Sequence, residues 1–123
     1  MCDSCVKFST DSVKSHKLAR MAAIRGARLL DRKIPDWRKR IDIDRLNMRY
    51  TDTCIIGQLF GINSGNRGYD NFTNTLSDLL GLQLPESHIT HGFDKNLTTP
   101  YSWETLTKVW REILTPVPVY TIA

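Results

Sequence analysis

The residues between Lys14 and Arg32 recur with the period of an α-helix, and this pattern constrains the fold more than any other feature of the chain. One face of the helical wheel carries apolar and small side chains, namely Leu18, Ala19, Ala22, Ala23, Gly26, Leu29 and Leu30. The other face carries the basic side chains Lys14, Lys17, Arg25, Arg28 and Arg32. A helix of this kind must cover its apolar face with other parts of the chain. The sequence therefore predicts a helical domain built around one long amphipathic helix.

This first helix is expected to start at a cap, Thr10 or Ser12, and to end at about Asp31, since the residue before Pro35 disfavours the helical conformation. Its small residues would let a neighbouring helix approach closely. Gly26 is expected to be tolerated within it at a cost of ~1 kcal/mol relative to alanine.

Three more helices are predicted downstream. The first covers residues 51–60, with its cap at Thr51 or Asp52. The second begins at a cap, Asp70, and ends where Gly81 can adopt the left-handed conformation.

The last predicted helix is opened by Thr99 and Pro100, as cap and first residue, and is stopped by Pro116. Short helical segments at 36–40 and 44–47 are expected to connect the first two main helices.

We therefore expect one all-α domain over residues 1–123, a compact bundle of about four main helices plus short connecting helices. Residues 1–9 are expected to be a flexible N-terminus and residues 115–123 an extended C-terminal tail. Thirteen side chains are predicted to form the core: Leu18, Ala22, Leu29, Leu30, Trp37, Ile55, Leu59, Phe60, Leu76, Leu80, Val109, Trp110 and Ile113.

Charge is distributed unevenly along the chain. The segment 14–40 holds ten Lys/Arg and two acidic residues, whereas the chain as a whole has a net charge of only +4. Eight of these cations are the candidate partner-binding residues: Lys14, Lys17, Arg25, Arg28, Arg32, Arg38, Lys39 and Arg40. Three interpretations compete, namely a solvated helix face, a site for nucleic acid, and a site for an acidic protein surface. The basic segment could also be neutralised internally, by docking on the acidic remainder of the chain.

Two observations weigh against nucleic acid. No second helix follows the first after the tight turn of a helix-turn-helix unit. The basic residues of the stripe are also not interleaved with aromatic residues, as single-strand binding requires.

Metal chemistry has one candidate set, which combines Cys2 and Cys5 with His88 and His91. Each pair has a spacing that suits zinc, but the pairs lie far apart in the sequence and Cys2 is next to the terminus. Two free thiols and two structural histidines are the favoured interpretation, and a zinc site is the alternative.

No catalytic group is evident. The sequence lacks a nucleophile elbow, a zinc-protease motif and a Walker A motif. The glycines at 61, 65 and 68 indicate a loop, Asp42 and Asp44 indicate caps or surface charge, and residues 91–94 indicate a tight turn fixed by Phe93. We therefore expect no enzyme activity, no catalytic or metal site and no cofactor.

The N-terminal residues resemble no secretion signal, and no stretch approaches the ~20 apolar residues of a membrane span. A cytoplasmic protein without membrane contact is expected.

Several short runs together resemble a group of small, uncharacterised proteins of actinobacteria and their phages. The runs are Arg25–Asp31, Pro35–Trp37, Arg40–Asp42, Ile56–Gly61, His91–Asp94 and Trp110–Arg111, and the similarity spans about residues 25 to 114. The resemblance implies a phage or mobile-element setting and carries over no site. In that setting we expect a non-enzymatic accessory protein that binds a host or phage protein, with inhibition of that protein as one outcome. Nucleic-acid binding through the basic stripe is the alternative.

The apolar tail after Pro116 is expected to pack in extended form, either on its own domain or across a second copy. The second arrangement would give a homodimer.

Overall fold

The computed structural model describes residues 3–63 and 67–115, with side chains from residue 13 onward. Within these ranges the chain forms five α-helices and two short 3-10 turns, and it has no strand. The helices are α1 (Asp3–Lys33), α2 (Ile55–Phe60), α3 (Gly68–Asp78), α4 (Pro85–Thr90) and α5 (Trp103–Leu114), and the 3-10 turns are Trp37–Arg40 and Ile43–Arg45. The prediction of an all-α fold with short connecting helices is confirmed.

Helix α1 begins at Asp3, earlier than the predicted caps Thr10 and Ser12. Residues 3–12 contain neither proline nor glycine, so nothing in this stretch interrupts the helix. The helix ends at Lys33, close to its predicted end at about Asp31. The amide of Ile34, the residue before Pro35, still donates to the carbonyl oxygen of Leu30 at 2.7 Å. Residues 3–9, for which flexibility was expected, have helical backbone, and residues 1–2 lie outside the described part.

Helix α2 is shorter than predicted. Its cap is the Sγ atom of Cys54, which accepts from the amide of Gly57 at 3.3 Å, so the prediction of Thr51 or Asp52 as the cap is wrong. The preceding residues fold back across α2 instead. A Cβ atom on Gly57 would overlap the carbonyl oxygen of Thr51, which shows how closely this turn approaches the helix.

Helix α3 also starts earlier than predicted. Its cap position is Arg67, which has a left-handed conformation with φ of 69°, and Asp70 lies in the first turn. A carboxylate in the first turn still stabilises the helix, because the N-terminal end of the helix dipole is positive. The C-terminal prediction is confirmed, since Gly81 has φ of +73° and the amide of Leu82 closes onto the carbonyl oxygen of Leu76 at 2.9 Å.

Helix α5 begins later than predicted. The hydroxyl of Ser102 caps it by accepting from the amide of Thr105 at 3.1 Å. The hydroxyl oxygen of Thr99, the predicted cap, instead accepts from the amide of Asn96 at 3.0 Å and so belongs to the preceding turn. The predicted start at Thr99 and Pro100 is therefore wrong, because Asn96 competes for that hydroxyl.

The core lies between α1 and α5 and is centred on Trp110, whose side chain is fully buried. Its ring meets Trp37 edge to face, with centroids 5.9 Å apart, and stacks on Phe93 at 5.6 Å. Its indole N–H donates to the carbonyl oxygen of Gly92 at 2.8 Å. The predicted core is confirmed, with three of its members partly buried at the edge: Leu18, Phe60 and Ile113.

The turn at residues 91–93 packs directly on the backbone of α1. Gly92 has φ of +71°, and a Cβ atom there would lie 2.8 Å from the backbone of Ala23. Conversely, a Cβ atom on Gly26 of α1 would overlap the carbonyl oxygen of His91 in this turn. The expectation that Gly26 is merely tolerated is therefore wrong, since the close contact requires it. The predicted tight turn is confirmed, with Phe93 buried beneath it.

The predicted extended tail, apart from its first residue Thr115, lies outside the described residues, and so does the dimer contact assigned to it. In the described part, no helix combines the length and the apolar character that crossing a bilayer demands.

Candidate partner-binding surface

Five cations of α1 form a surface that we call the basic face: Lys14, Lys17, Arg25, Arg28 and Arg32. All five side chains are exposed, and they lie opposite the buried side of the helix, where Ala19, Ala23 and Leu30 contact the core. The helical rise places the first and last of them about 27 Å apart. The sequence prediction of one basic side and one buried side is therefore realised along most of α1.

The basic face is not neutralised by the acidic part of the chain, as far as the described residues extend. Three ion pairs occur among them, joining His16 to Glu112, Arg38 to Asp31 and Arg40 to Asp36. None involves the basic face, and of its five members only Arg25 makes a hydrogen bond to a described residue, the carbonyl oxygen of Thr90 at 3.3 Å. Four cations thus point outward without an internal carboxylate.

Two apolar side chains lie among these cations. Met21 is 43% exposed, and Ile24 is partly buried one turn further along. Both lie between Lys17 and Arg28 along the helix axis, and Met21 also falls within the arc of the five cations on the helical wheel. An apolar centre with arginine around it is a composition enriched at protein interfaces, where methionine and arginine are favoured over lysine.

The 3-10 turn after α1 uses two of its three cations internally. Arg38 pairs with Asp31 at 3.3 Å and lies 4.9 Å from the centre of the Trp37 ring. Arg40 donates to the carbonyl oxygen of Leu59 at 2.9 Å. Lys39 is exposed. The fold thus gives Arg38 and Arg40 a structural role that the charge run did not reveal.

The two histidines of the candidate zinc set are bound to backbone carbonyls. Nε2 of His88 donates to Leu82 at 2.6 Å, and Nδ1 of His91 donates to Ser87 at 2.8 Å. Neither the side chain of Cys5 nor any part of Cys2 is described. The described side chains contain no group of three or more histidine, cysteine, aspartate or glutamate residues that could hold a metal ion.

The buried cysteine is a capping residue rather than a nucleophile. Burial raises the pKa of the Cys54 thiol to about 11, only partly offset by the amides of α2 that donate to it. The reactive form of cysteine is the thiolate, so Cys54 is inert at neutral pH. Asp42, for which the sequence indicated a cap or surface charge, accepts from the amide of Asp44 at 3.1 Å and so caps a 3-10 turn.

One further surface was not foreseen from the sequence. A cleft of about 290 Å³ opens between residues 46–50 and one side of α5. We call it the α5 cleft and define it by Arg49, Tyr50, Trp103, Glu104, Lys108 and Arg111. Its two walls are more than fifty residues apart in the chain. The only signal in the sequence was the i, i+4, i+7 spacing of Glu104, Lys108 and Arg111, which places them on one side of a helix.

Comparison with family models, curated proteins and solved structures gave no match to this chain.

Proposed function

We propose that this protein is a non-enzymatic accessory protein of a phage or mobile element, and that its basic face binds an acidic surface of a host or phage protein. The observation that carries the proposal is the outward array of cations on α1, without carboxylate partners among the described residues. Binding of this kind blocks whatever the covered surface of the partner does, which would make the protein an inhibitor.

The apolar centre of the basic face favours a protein over a nucleic acid. Met21 exposes 43% of its surface between cations, where a phosphate backbone would offer it nothing to contact. An acidic protein surface with an apolar pocket would match both the methionine and the arginines around it.

Nucleic acid is the second candidate, because a row of exposed cations also fits a phosphate backbone. The two candidates differ in their dependence on salt. Binding to duplex DNA releases counterions, so its affinity falls steeply between about 50 and 200 mM salt. An interface with an apolar centre keeps more of its affinity over that range.

Affinity capture from host cells tests the proposal, using extracts treated with nuclease. We expect wild-type protein to retain a specific protein partner, and a variant carrying Arg28→Glu and Arg32→Glu to lose it. A variant with the same change in charge elsewhere, Arg45→Glu with Arg67→Glu at two exposed cations outside the candidate set, serves as the control and should retain the partner. Loss of all captured material on nuclease treatment would favour nucleic acid, and equal capture by both variants would contradict the proposal.

A further inference from the structure

The α5 cleft has the size of a small-molecule site. Its volume of about 290 Å³ lies close to the lower end of the range of ligand pockets, ~300–1,000 Å³. None of its lining residues comes from α1, so it is separate from the basic face.

Hydrogen bonds fix both walls of the cleft. The amide of Met48 donates to the hydroxyl of the buried Thr107 at 2.9 Å, and the guanidinium of Arg111 donates to the carbonyl oxygen of Leu46 at 2.9 Å. A further bond, from the amide of Arg49 to the side chain of Asn47 at 3.0 Å, closes the turn that presents Arg49 and Tyr50. A ligand would therefore meet a site that is already arranged, which lowers the entropic cost of binding.

Positive charge dominates the cleft. It has three cations, Arg49, Lys108 and Arg111, against one carboxylate, Glu104. Within the described ranges, no carboxylate oxygen lies within 4.0 Å of a charged side-chain nitrogen of these three residues. Arg49 and Lys108 donate no side-chain hydrogen bond to a described residue, and Arg111 uses one nitrogen of its guanidinium for the wall. Donors suited to a phosphate group are thus available.

Two aromatic side chains stand beside these cations. Tyr50 is 51% exposed, and Trp103 lines the cleft while half-buried. The ammonium group of Lys95, which does not line the cleft, lies 5.4 Å from the centre of the Trp103 ring. Flat bases stack on aromatic side chains, and cations next to such rings suit the attached phosphate.

We propose that the α5 cleft binds a nucleotide, with the phosphate held by Arg49, Lys108 and Arg111 and the base placed against Tyr50 and Trp103. The nucleotide is either free or part of a single strand, because both present the same base and phosphate groups to the cleft. This proposal goes beyond the basic face and does not depend on it.

The carboxylate in the cleft favours a nucleotide over a phosphotyrosine side chain. Glu104 is an acceptor, and a nucleotide offers it donors from ribose hydroxyl and base amino groups. A phosphotyrosine side chain offers a ring and a phosphate but no such donor. Its only effect on Glu104 would be repulsion between the phosphate and the carboxylate.

Titration followed by ¹H–¹⁵N NMR tests this site on the whole chain. We expect AMP to shift the indole N–H signal of Trp103 and the amide signal of Tyr50, and adenosine, which lacks the phosphate, to bind at least about tenfold more weakly. A single-stranded oligonucleotide that shifts the same signals at lower concentration than AMP would identify the strand as the source, and weaker binding would identify the free nucleotide.

Matched lysine variants locate the phosphate. Lys108→Gln should weaken AMP binding by about tenfold or more, as expected for a lost charged hydrogen bond, whereas Lys39→Gln should leave it unchanged. The same spectra show that both variants are folded. Three results would overturn the proposal: no shift at Trp103 with AMP or oligonucleotide, equal affinity for AMP and adenosine, or a response to phosphotyrosine and none to AMP.

Discussion

The two faces of α1 differ in how closely the rest of the chain approaches them. On the inner face, the turn at 91–93 lies against the backbone itself, so that neither Gly26 nor Gly92 has room for a Cβ atom. On the outer face, the cations extend away from the core and, apart from Arg25, contact no described residue through hydrogen bonds or ion pairs.

This difference shows what each face requires of its residues. The inner face requires small volume, since one extra carbon atom would force backbone atoms apart. The outer face has no packing requirement, so stability alone does not account for five aligned cations. The acidic partner proposed above would account for them.

The largest effect is expected at the inner face. Gly26→Ala should reduce the free energy of unfolding by about 3 kcal/mol or more, because the new methyl group would meet the carbonyl oxygen of His91 and the ring of Trp110. Urea unfolding followed by circular dichroism measures it. On an exposed helix the same change would stabilise the protein by ~1 kcal/mol, so a gain in stability would show that the close contact does not exist.

A matched pair of glycines separates the effect of space from that of backbone conformation. Gly92 and Gly81 have nearly equal φ, +71° and +73°, but only Gly92 has atoms of another element where a Cβ would lie. Gly81→Ala should cost only the left-handed strain of about 1–2 kcal/mol. Gly92→Ala should cost clearly more in the same unfolding assay. Equal losses would argue against the contact with Ala23.

A smaller effect is expected at Asp31, which joins α1 to the following 3-10 turn. The indole N–H of Trp37, donating at 2.7 Å, lowers the pKa of Asp31 from 3.8; slight burial opposes this, and Arg38 adds to it. Because the folded-state pKa is the lower one, the carboxylate stabilises the fold above pH 3.8, and this contribution is lost as the pH falls through the folded-state value.

The corresponding variant is Asp31→Asn, compared with wild type by urea unfolding between neutral and acidic pH. It should be less stable at pH 7, and the difference should shrink as Asp31 of the wild type becomes protonated. Asp78→Asn, at an exposed residue without a described side-chain hydrogen bond, is the control. A deficit that stays constant into acid would show that the charge of Asp31 contributes nothing.

The smallest effect on stability is expected at the outer face. Replacing Arg28 and Arg32 by alanine should change the free energy of unfolding by no more than about 0.5 kcal/mol each, since neither side chain has a described partner. A loss above about 1 kcal/mol would mean that these arginines hold an internal contact, and the comparison between the two faces would fail.

Much of the fold could be predicted from periodicity and proline. The faces of α1, its end near Pro35 and the left-handed Gly81 all follow from local rules. The helix starts were less predictable, because several side chains compete for each cap. Cys54 and Ser102, rather than Thr51 and Thr99, cap α2 and α5 because of contacts that depend on the folded chain. The requirement for Gly26 likewise arises from the distant turn at His91.

The candidate sites were predicted unevenly. The basic face lies on one helix, so its spacing in the sequence was enough to align it. The α5 cleft joins Arg49 and Tyr50 to a helix that starts at Trp103, and no local pattern brings such distant segments together. Sequence likewise could not separate Arg38 and Arg40 from the free cations, because their partners are backbone carbonyls and a carboxylate placed by the fold.

Photo-crosslinking in host cells tests most directly whether the outer face of α1 binds a protein. A photoreactive residue in place of Met21 should form a covalent adduct with one protein, and Arg28→Glu with Arg32→Glu should abolish that adduct. The same residue in place of the fully exposed Leu97, outside α1, should give no such adduct. Adducts from position 97 alone, or adducts at position 21 that nuclease removes, would contradict protein binding through the basic face.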